Sequence, residues 1–303
     1  METVIEVKHL TKTYGETIAV NDISFVVERG EIFGIVGPNG AGKTTTVETL
    51  MGLRKPDRGA VSVLGLDPQR QRAALAQRIG VQLQEANLPE RIKVWEALDM
   101  FAAFYGRTIP WEPLLAQWGL AEKRNAFVEK LSGGQKQRLF IALALLNDPE
   151  IVFLDEITTG LDPQARRATW DLVRQIRDQG KTVILVTHFM DEAQALADRV
   201  AIIDYGRIVA LDTPQALING LKQEHRIVFT TANGFDAQSL IGVNGVTHVS
   251  QEGDQVTVSG GDTLLLHLAM ALTAQHVMPT DLRVERADLE DVFIALTGRK
   301  IRA

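Results

Sequence analysis

The stretch Ile32-Phe33-Gly34-Ile35-Val36-Gly37-Pro38-Asn39-Gly40-Ala41-Gly42-Lys43-Thr44-Thr45 decides the fold of this chain. Its first five residues are an unbroken apolar run apart from one glycine, which a strand buried on both faces of a parallel sheet requires. The residues that follow fit the phosphate-loop pattern G-x-x-x-x-G-K-[ST], with Lys43 and Thr44 opening a helix. Strand, glycine-rich loop and helix in that order give the pattern its meaning. The glycines let backbone N–H groups point inward around the β- and γ-phosphates of a nucleotide, Lys43 adds a point charge, and the Thr44 hydroxyl can reach a Mg2+ ion. A helix end alone contributes only about 0.3–2 kcal/mol, so tight binding needs loop, lysine and metal together.

Two more apolar runs have the same character, Ile151-Val152-Phe153-Leu154 and Thr182-Val183-Ile184-Leu185-Val186. The first leads into Asp155-Glu156 and the second into Thr187-His188. Ligands of open α/β sheets bind outside the carboxyl ends of the strands, so the three ends mark one site. Neighbours on a strand point to opposite sides, so Asp155 and Glu156 serve different purposes. Asp155 suits Mg2+, through its water shell, and Glu156 is placed to orient and deprotonate an attacking water. His188, by the same geometry, is a candidate sensor of the γ-phosphate.

A second phosphate-seeking helix start lies at Leu131-Ser132-Gly133-Gly134-Gln135, ahead of an amphipathic run to Ala144. Small residues there leave backbone N–H groups free to meet an anion. One chain thus carries two such ends, and their relation is the central question.

The flanking sequence sets the organisation. Ile5-Glu6-Val7 and Ile23 to Val27 alternate around a turn at Gly15, giving an antiparallel edge layer, and Val200 to Asp212 reads as a hairpin turning at Tyr205-Gly206. Between residues 85 and 130 the sequence is helix-rich, and Trp95, Phe101, Phe104, Tyr105, Trp111 and Trp118 read as its core. After Gly220 short strands at Arg226–Thr231, Val246–Ser250 and Gln255–Val258, with helices near 263–275 and 288–297, form a small α+β domain. The expected fold class is therefore α/β: a parallel core sheet with an antiparallel β layer and a helical subdomain at about 85–150, all within residues 1–220, followed by the small domain at 221–303.

The chain has 303 residues, 45% of them hydrophobic, enough for a full core, and a formal charge of -6 that argues against a general nucleic-acid binder. Cysteine is absent, which removes disulfides and thiolate chemistry. The N-terminal Met1 to Lys8 lacks the pattern of a signal peptide. Thr263 to Thr280 carries no Asp, Glu, Lys or Arg, yet His267, Gln275, His276 and Pro279 interrupt it, so it reads as a Leu-rich helix packed on a sheet rather than a membrane span.

The order of the motifs, from Gly37–Thr45 through Leu131-Ser132-Gly133-Gly134-Gln135, Asp155-Glu156 and Gly160-Leu161-Asp162 to His188, resembles the nucleotide-binding domain of ABC transporters, a type of P-loop NTPase. The LSGGQ sequence discriminates, since phosphate loops occur in many ATPases and GTPases. The tail Leu289-Glu290-Asp291-Val292-Phe293-Ile294-Ala295-Leu296-Thr297-Gly298-Arg299 is similar to that of drug-exporter ATPases of the daunorubicin-resistance type. The resemblance implies that Tyr14 stacks on adenine with Val20 beside it, and that Gly37, Pro38, Asn39, Gly40, Ala41, Gly42, Lys43, Thr44 and Thr45 hold ATP. It implies that Gln84 reaches Mg2+ and the attacking water, with Gln82 the competing assignment, and that Asp162 crosses to a partner subunit. The family commonly has Pro after the Asp-Glu pair; Ile157 stands there and carries no chemistry.

In the family two copies bind head to tail, so that Leu131, Ser132, Gly133, Gly134 and Gln135 of one cover ATP held by the other. The resemblance thus implies a homodimer that hydrolyses ATP with Mg2+ and powers a separate transmembrane permease, in the export direction. The helices after Gln84 would receive the permease, and the subunit would be cytoplasmic, peripheral at the inner face of the cell membrane. The small C-terminal domain is expected to regulate or dimerise. The alternative is a soluble ABC-type ATPase acting on ribosomes or DNA, against which a single cassette without long coiled-coil insertions argues.

Overall fold

The computed structural model describes residues 2–83, 88–89, 91–221, 225–231, 235–261, 263–285 and 287–299. A hairpin of β1 (Thr3–Tyr14) and β2 (Thr17–Glu28) leads into β3 (Ile32–Val36), whose five residues are all buried. The phosphate loop connects β3 to α1 (Lys43–Leu50). Then follow β4 (Arg58–Val63), the short α2 (Arg72–Ala76), β5 (Ile79–Gln82), and the helices α3 (Val94–Ala102), α4 (Trp111–Gln117) and α5 (Gly133–Leu145). Next come β6 (Ile151–Asp155), α6 (Pro163–Asp178), β7 (Thr182–Thr187), α7 (Met190–Leu196), β8 (Arg199–Asp204), β9 (Arg207–Asp212) and α8 (Pro214–Gly220). The last part consists of β10 (His225–Thr230), β11 (Val246–Glu252), β12 (Gln255–Gly260), α9 (Leu264–Ala274), β13 (Thr280–Glu285) and α10 (Leu289–Thr297).

The chain divides into two compact units, Met1–Pro214 with Leu296–Ala303, and Gln215–Ala295. In the first, six strands form one sheet in the order β5-β6-β7-β3-β8-β9, parallel except for the final β8-β9 hairpin. The apolar runs at β3, β6 and β7 are its adjacent central strands, as expected from residues that tolerate no solvent on either face. Pairing of Val36 with Thr187 and Asp155 with Val186 brings the three chemistry-bearing ends to one edge. The expected antiparallel layer is a three-stranded sheet, β2-β1-β4, whose third strand the alternation pattern did not disclose. Its Ile5, Val7, Leu10, Ile23 and Val27 join Phe33, Ile35, Val47, Leu50 and Phe153 in one core. The hairpin expected at Tyr205-Gly206 is present, with both residues at positive φ (45° and 73°), as a two-residue turn between twisted strands demands.

The aromatics of the helical segment separate into two kinds. Trp118 is fully buried, whereas Phe104 is 67% exposed and therefore not the core residue expected. Phe104 pairs edge-on with Phe101 at 6.0 Å and lines an apolar cavity instead.

The second unit is an antiparallel sheet in the order β11-β12-β10-β13. Leu264, Leu268 and Leu272 of α9 are buried in one cluster with Ile227, Phe229, Val256 and Val258. This is the packing expected of the Leu-rich segment, and no helix among the described residues is long and apolar enough to cross a membrane. The fourth strand, β13, was not expected from the sequence, and all six of its residues are exposed.

Two close approaches fix the phosphate loop. A Cβ at Gly37 would lie 2.1 Å from the Ile203 carbonyl oxygen of β8, and one at Gly42 would lie 2.2 Å from the Ala19 oxygen of β2. Gly42 also has φ +104°, closed to other residues. Gly42→Ala is expected to cost about 1–3 kcal/mol of stability and to weaken nucleotide binding. Urea denaturation and a nucleotide titration check both, and a variant as stable as the parent would show that the loop can move off β2.

Candidate functional site

The phosphate loop begins where β3 ends, with Asn39 and Gly40 exposed at its tip and Ala41 packed into the core. Lys43 reaches back over the loop, its Nζ donating to the carbonyls of Gly37 (2.8 Å) and Pro38 (3.1 Å). Burial lowers its pKa, and the nearby carboxylates of Glu156 and Asp155 oppose that shift. Thr44 is exposed on the first turn of α1 and Thr45 is half-buried, while the Thr46 hydroxyl is committed to the Gly42 carbonyl at 2.9 Å. Thr44 is thus the exposed one of the three threonines.

At the end of β6, Asp155 is 5% exposed, and its pKa is pushed up to about 6. Burial is the main cause, repulsion from Glu156 adds to it, and Lys43 opposes it. Glu156 leaves the strand at φ +50°, a left-handed conformation unusual for a non-glycine residue, held by its N–H bond to the Val186 carbonyl (2.9 Å). Its carboxylate meets His188 Nδ1 at 2.9 Å, and the Thr159 hydroxyl donates to its other oxygen at 3.2 Å. Both side chains of the Glu156–His188 pair are largely buried, 7% and 13% exposed. His188 in turn lies against the Phe189 ring, 4.0 Å between centroids.

The structure adds a residue that sequence reasoning missed. Glu192 of α7 is fully buried below this pair, where Trp170 Nε1 of α6 donates to it at 3.1 Å. Burial raises its pKa, and the hydrogen bond from Trp170 opposes the shift. A Glu three residues after Phe189 in an ordinary helical pattern gives no signal of this.

The signature residues lie elsewhere. Ser132 caps α5 by a reciprocal box: its Oγ accepts from Gln135 N (3.3 Å), and Gln135 Oε1 accepts from Ser132 N (3.0 Å). Leu131 is buried beneath it, while Ser132 and Gly133 are exposed. With Gly134, Gly160, Leu161 and Asp162 they line a cleft of about 360 Å³ that contains no residue of the phosphate loop. Asp162 is the N-cap of α6, accepting from Ala165 N at 2.8 Å. Within one chain, therefore, the two phosphate-seeking ends do not share a cavity.

Among the remaining candidates, Tyr14 is 42% exposed, with Lys12 and Arg54 5.5 and 5.8 Å from its ring centroid. Val20 is only 1% exposed, so its side chain belongs to the core and offers no face to a base. Gln84 lies outside the described residues. Gln82 is buried in β5, where its Nε2 donates to the Leu83 carbonyl at 2.8 Å. Ile157, the departure from the family pattern, is fully buried and anchors the loop that follows Glu156.

A parallel sheet with a phosphate loop, an acidic pair and a histidine at the ends of adjacent strands defines a P-loop ATPase. The sequence profile of the ABC transporter family matches residues 20–159. Over 98% of both chains the protein is 40% identical to Nod factor export ATP-binding protein I of Burkholderia lata, and it is 37% identical to the protein of that name from Rhizobium etli. Its structure resembles that of an ABC transporter ATP-binding subunit with a TM-score of 0.65, 31% identity and coverage of 72% of this chain and 92% of the other. A component of a Clostridium perfringens ABC transporter complex matches with a TM-score of 0.66, 26% identity and coverage of 73% and 92%. The chain belongs to the ATP-binding subunits of ABC transporters, and it is an ATPase coupled to transport through a membrane permease.

The raised Asp155 carboxyl makes a pH signature. Because the fold favours its protonated form, the stability it contributes is complete below its unfolded value near 3.8 and is lost as pH rises through about 6. Asp155→Asn should therefore gain about 1 kcal/mol relative to the parent between pH 5 and pH 7.5 in urea denaturation without nucleotide. An unchanged difference between the two proteins would place Asp155 in a solvated environment.

Proposed function

We propose that this chain is the ATPase of an exporter, working as a homodimer in which each ATP is held by the phosphate loop of one protomer and covered by Ser132-Gly133-Gly134-Gln135 of the other. One observation carries this reading: the signature cleft and the phosphate loop do not share a cavity within a chain, although each offers anion-binding N–H groups. A second copy supplies the missing half. Export is favoured by likeness over the full length to proteins named export ATP-binding proteins, and transported-substrate selection falls to the permease.

The loop N–H groups and Lys43 bind the phosphates, and the Tyr14 ring is assigned to the base. Glu156, oriented by His188 and Thr159, accepts the proton of the attacking water. His188 thus acts through Glu156 as well as near the γ-phosphate. Thr44 and Asp155, with Gln84 by family resemblance, would hold Mg2+, which when bound spreads the charge of the phosphate oxygens. The residues fit that ion: the donors are hard oxygens, and Asp155 is a buried carboxyl strained by a neighbouring like charge.

The permease is assigned to the apolar cavity of about 590 Å³ lined by Leu53, Leu83, Phe101, Phe104 and Phe140. Phe104, Leu53 and Leu83 are 67%, 42% and 38% exposed there. Seating against the permease places the subunit at the cytoplasmic face of the cell membrane.

Glu156→Gln should retain ATP binding, lose turnover by about 10²-fold or more, and form a dimer that persists with ATP in size-exclusion chromatography. A monomer under those conditions would refute the shared site. Phe104→Asp should leave the ATPase of the isolated subunit within about twofold of the parent yet abolish co-purification with the permease; retained co-purification would move the docking site elsewhere.

A further inference from the structure

The family-like tail ends at Gly298-Arg299, and the ATPase mechanism gives these residues no task. Arg299 falls in the first compact unit, although the chain reaches it from the second. Its guanidinium binds the Asp204 carboxylate at the end of β8 and lies over the Tyr205 ring, 4.4 Å from the centroid. Asp204 is 8% exposed and Arg299 42%, so a largely buried carboxylate takes its countercharge from the tail.

The turn gripped in this way is a wall of the phosphate loop. Gly206, next to Tyr205, donates its N–H to the Ala41 carbonyl (2.9 Å), and its own carbonyl accepts from Asn21 N of β2 (2.8 Å). Ile203, just before Asp204, is the residue against which Gly37 has no room for a Cβ. Gly37 at the start of the loop and Ala41 near its end therefore rest on the segment Ile203–Gly206.

We propose that Arg299 is a positioning residue for the phosphate loop: by pairing with Asp204 and covering Tyr205 it holds the β8-β9 turn in the place from which Gly206 braces Ala41. Loosening the grip lets the turn, and with it the loop, sample positions that hold phosphate poorly. The effect falls on nucleotide affinity and not on the Glu156–His188 chemistry.

The inference rests on the phosphate loop being the nucleotide site, so Lys43→Ala is carried alongside. Binding of a fluorescent ATP analogue with Mg2+ and steady-state ATPase are measured on the full chain for Arg299→Ala, Arg299→Lys, Asp204→Asn and the double variant Arg299→Ala/Asp204→Asn, with thermal denaturation confirming folding. Arg299→Ala should weaken binding and raise KM for ATP about fivefold while kcat at saturation stays unchanged, and Arg299→Lys should recover most of the affinity. The double variant, which leaves no buried unpaired charge, should bind no worse than Arg299→Ala alone, since coupled partners are non-additive. Affinity within twofold of the parent in both Arg299→Ala and the double variant, while Lys43→Ala loses binding, would overturn the proposal. Unaltered binding in Lys43→Ala would instead overturn the placement of the nucleotide.

Discussion

A phosphate loop works only if its backbone N–H groups stay aimed at one point, and here that aim is set by lack of space. Gly37 is pressed on the Ile203 carbonyl and Gly42 on the Ala19 carbonyl, at separations no side chain would survive. The loop is thus wedged between the β8-β9 hairpin of the main sheet and β2 of the antiparallel layer. This explains why the antiparallel layer belongs to the same core as the parallel sheet: it forms the second wall of the loop. Alternatives to these glycines would have to move a strand, because packed interiors do not yield by fractions of a side chain.

The acidic end of the site depends on a different balance. Two adjacent carboxyls at the end of a buried strand repel each other, and burial resolves the conflict unequally. Asp155 carries the cost and is pushed toward its neutral form, while Glu156 is turned aside by its left-handed backbone into the reach of His188 and Thr159. Strain at Glu156 is retained because Val186, the pairing partner of Asp155, holds its N–H. Two residues adjacent in sequence thereby acquire unlike environments, the condition for unlike tasks.

What was legible in the sequence follows from the same physics. The central strands could be read because residues buried on both faces leave an apolar run, and the loop because its glycines are sterically dictated. The hairpin at Tyr205-Gly206 could be read from its turn. By contrast β13 has only Leu282 and Val284 as apolar positions, and all six of its residues are exposed, while β4 is only partly buried. The aromatics of the helical segment misled for a related reason: composition cannot distinguish Trp118, sealed in a core, from Phe104, left open at a cavity. Val20 beside Tyr14 was a family expectation, and its burial shows that the position next to an exposed aromatic can serve the core alone. The histidine's bond to Glu156 and the buried Glu192 were invisible because both are contacts between separate connections, which spacing does not encode.

The separation of the two phosphate-seeking ends gives the proposed dimer its logic. If the signature residues faced the loop of their own chain, ATP would close a cavity and produce no motion beyond it. Ser132 instead lines a cleft with Asp162, and both are held as helix caps by bonds within the chain. Binding then costs little local ordering, and the free energy of closing on ATP goes into bringing two rigid bodies together. Loss of the γ-phosphate removes the contact that spans them. In the proposed dimer the output is a change of distance between protomers, available to the permease proposed to seat on the helical segment.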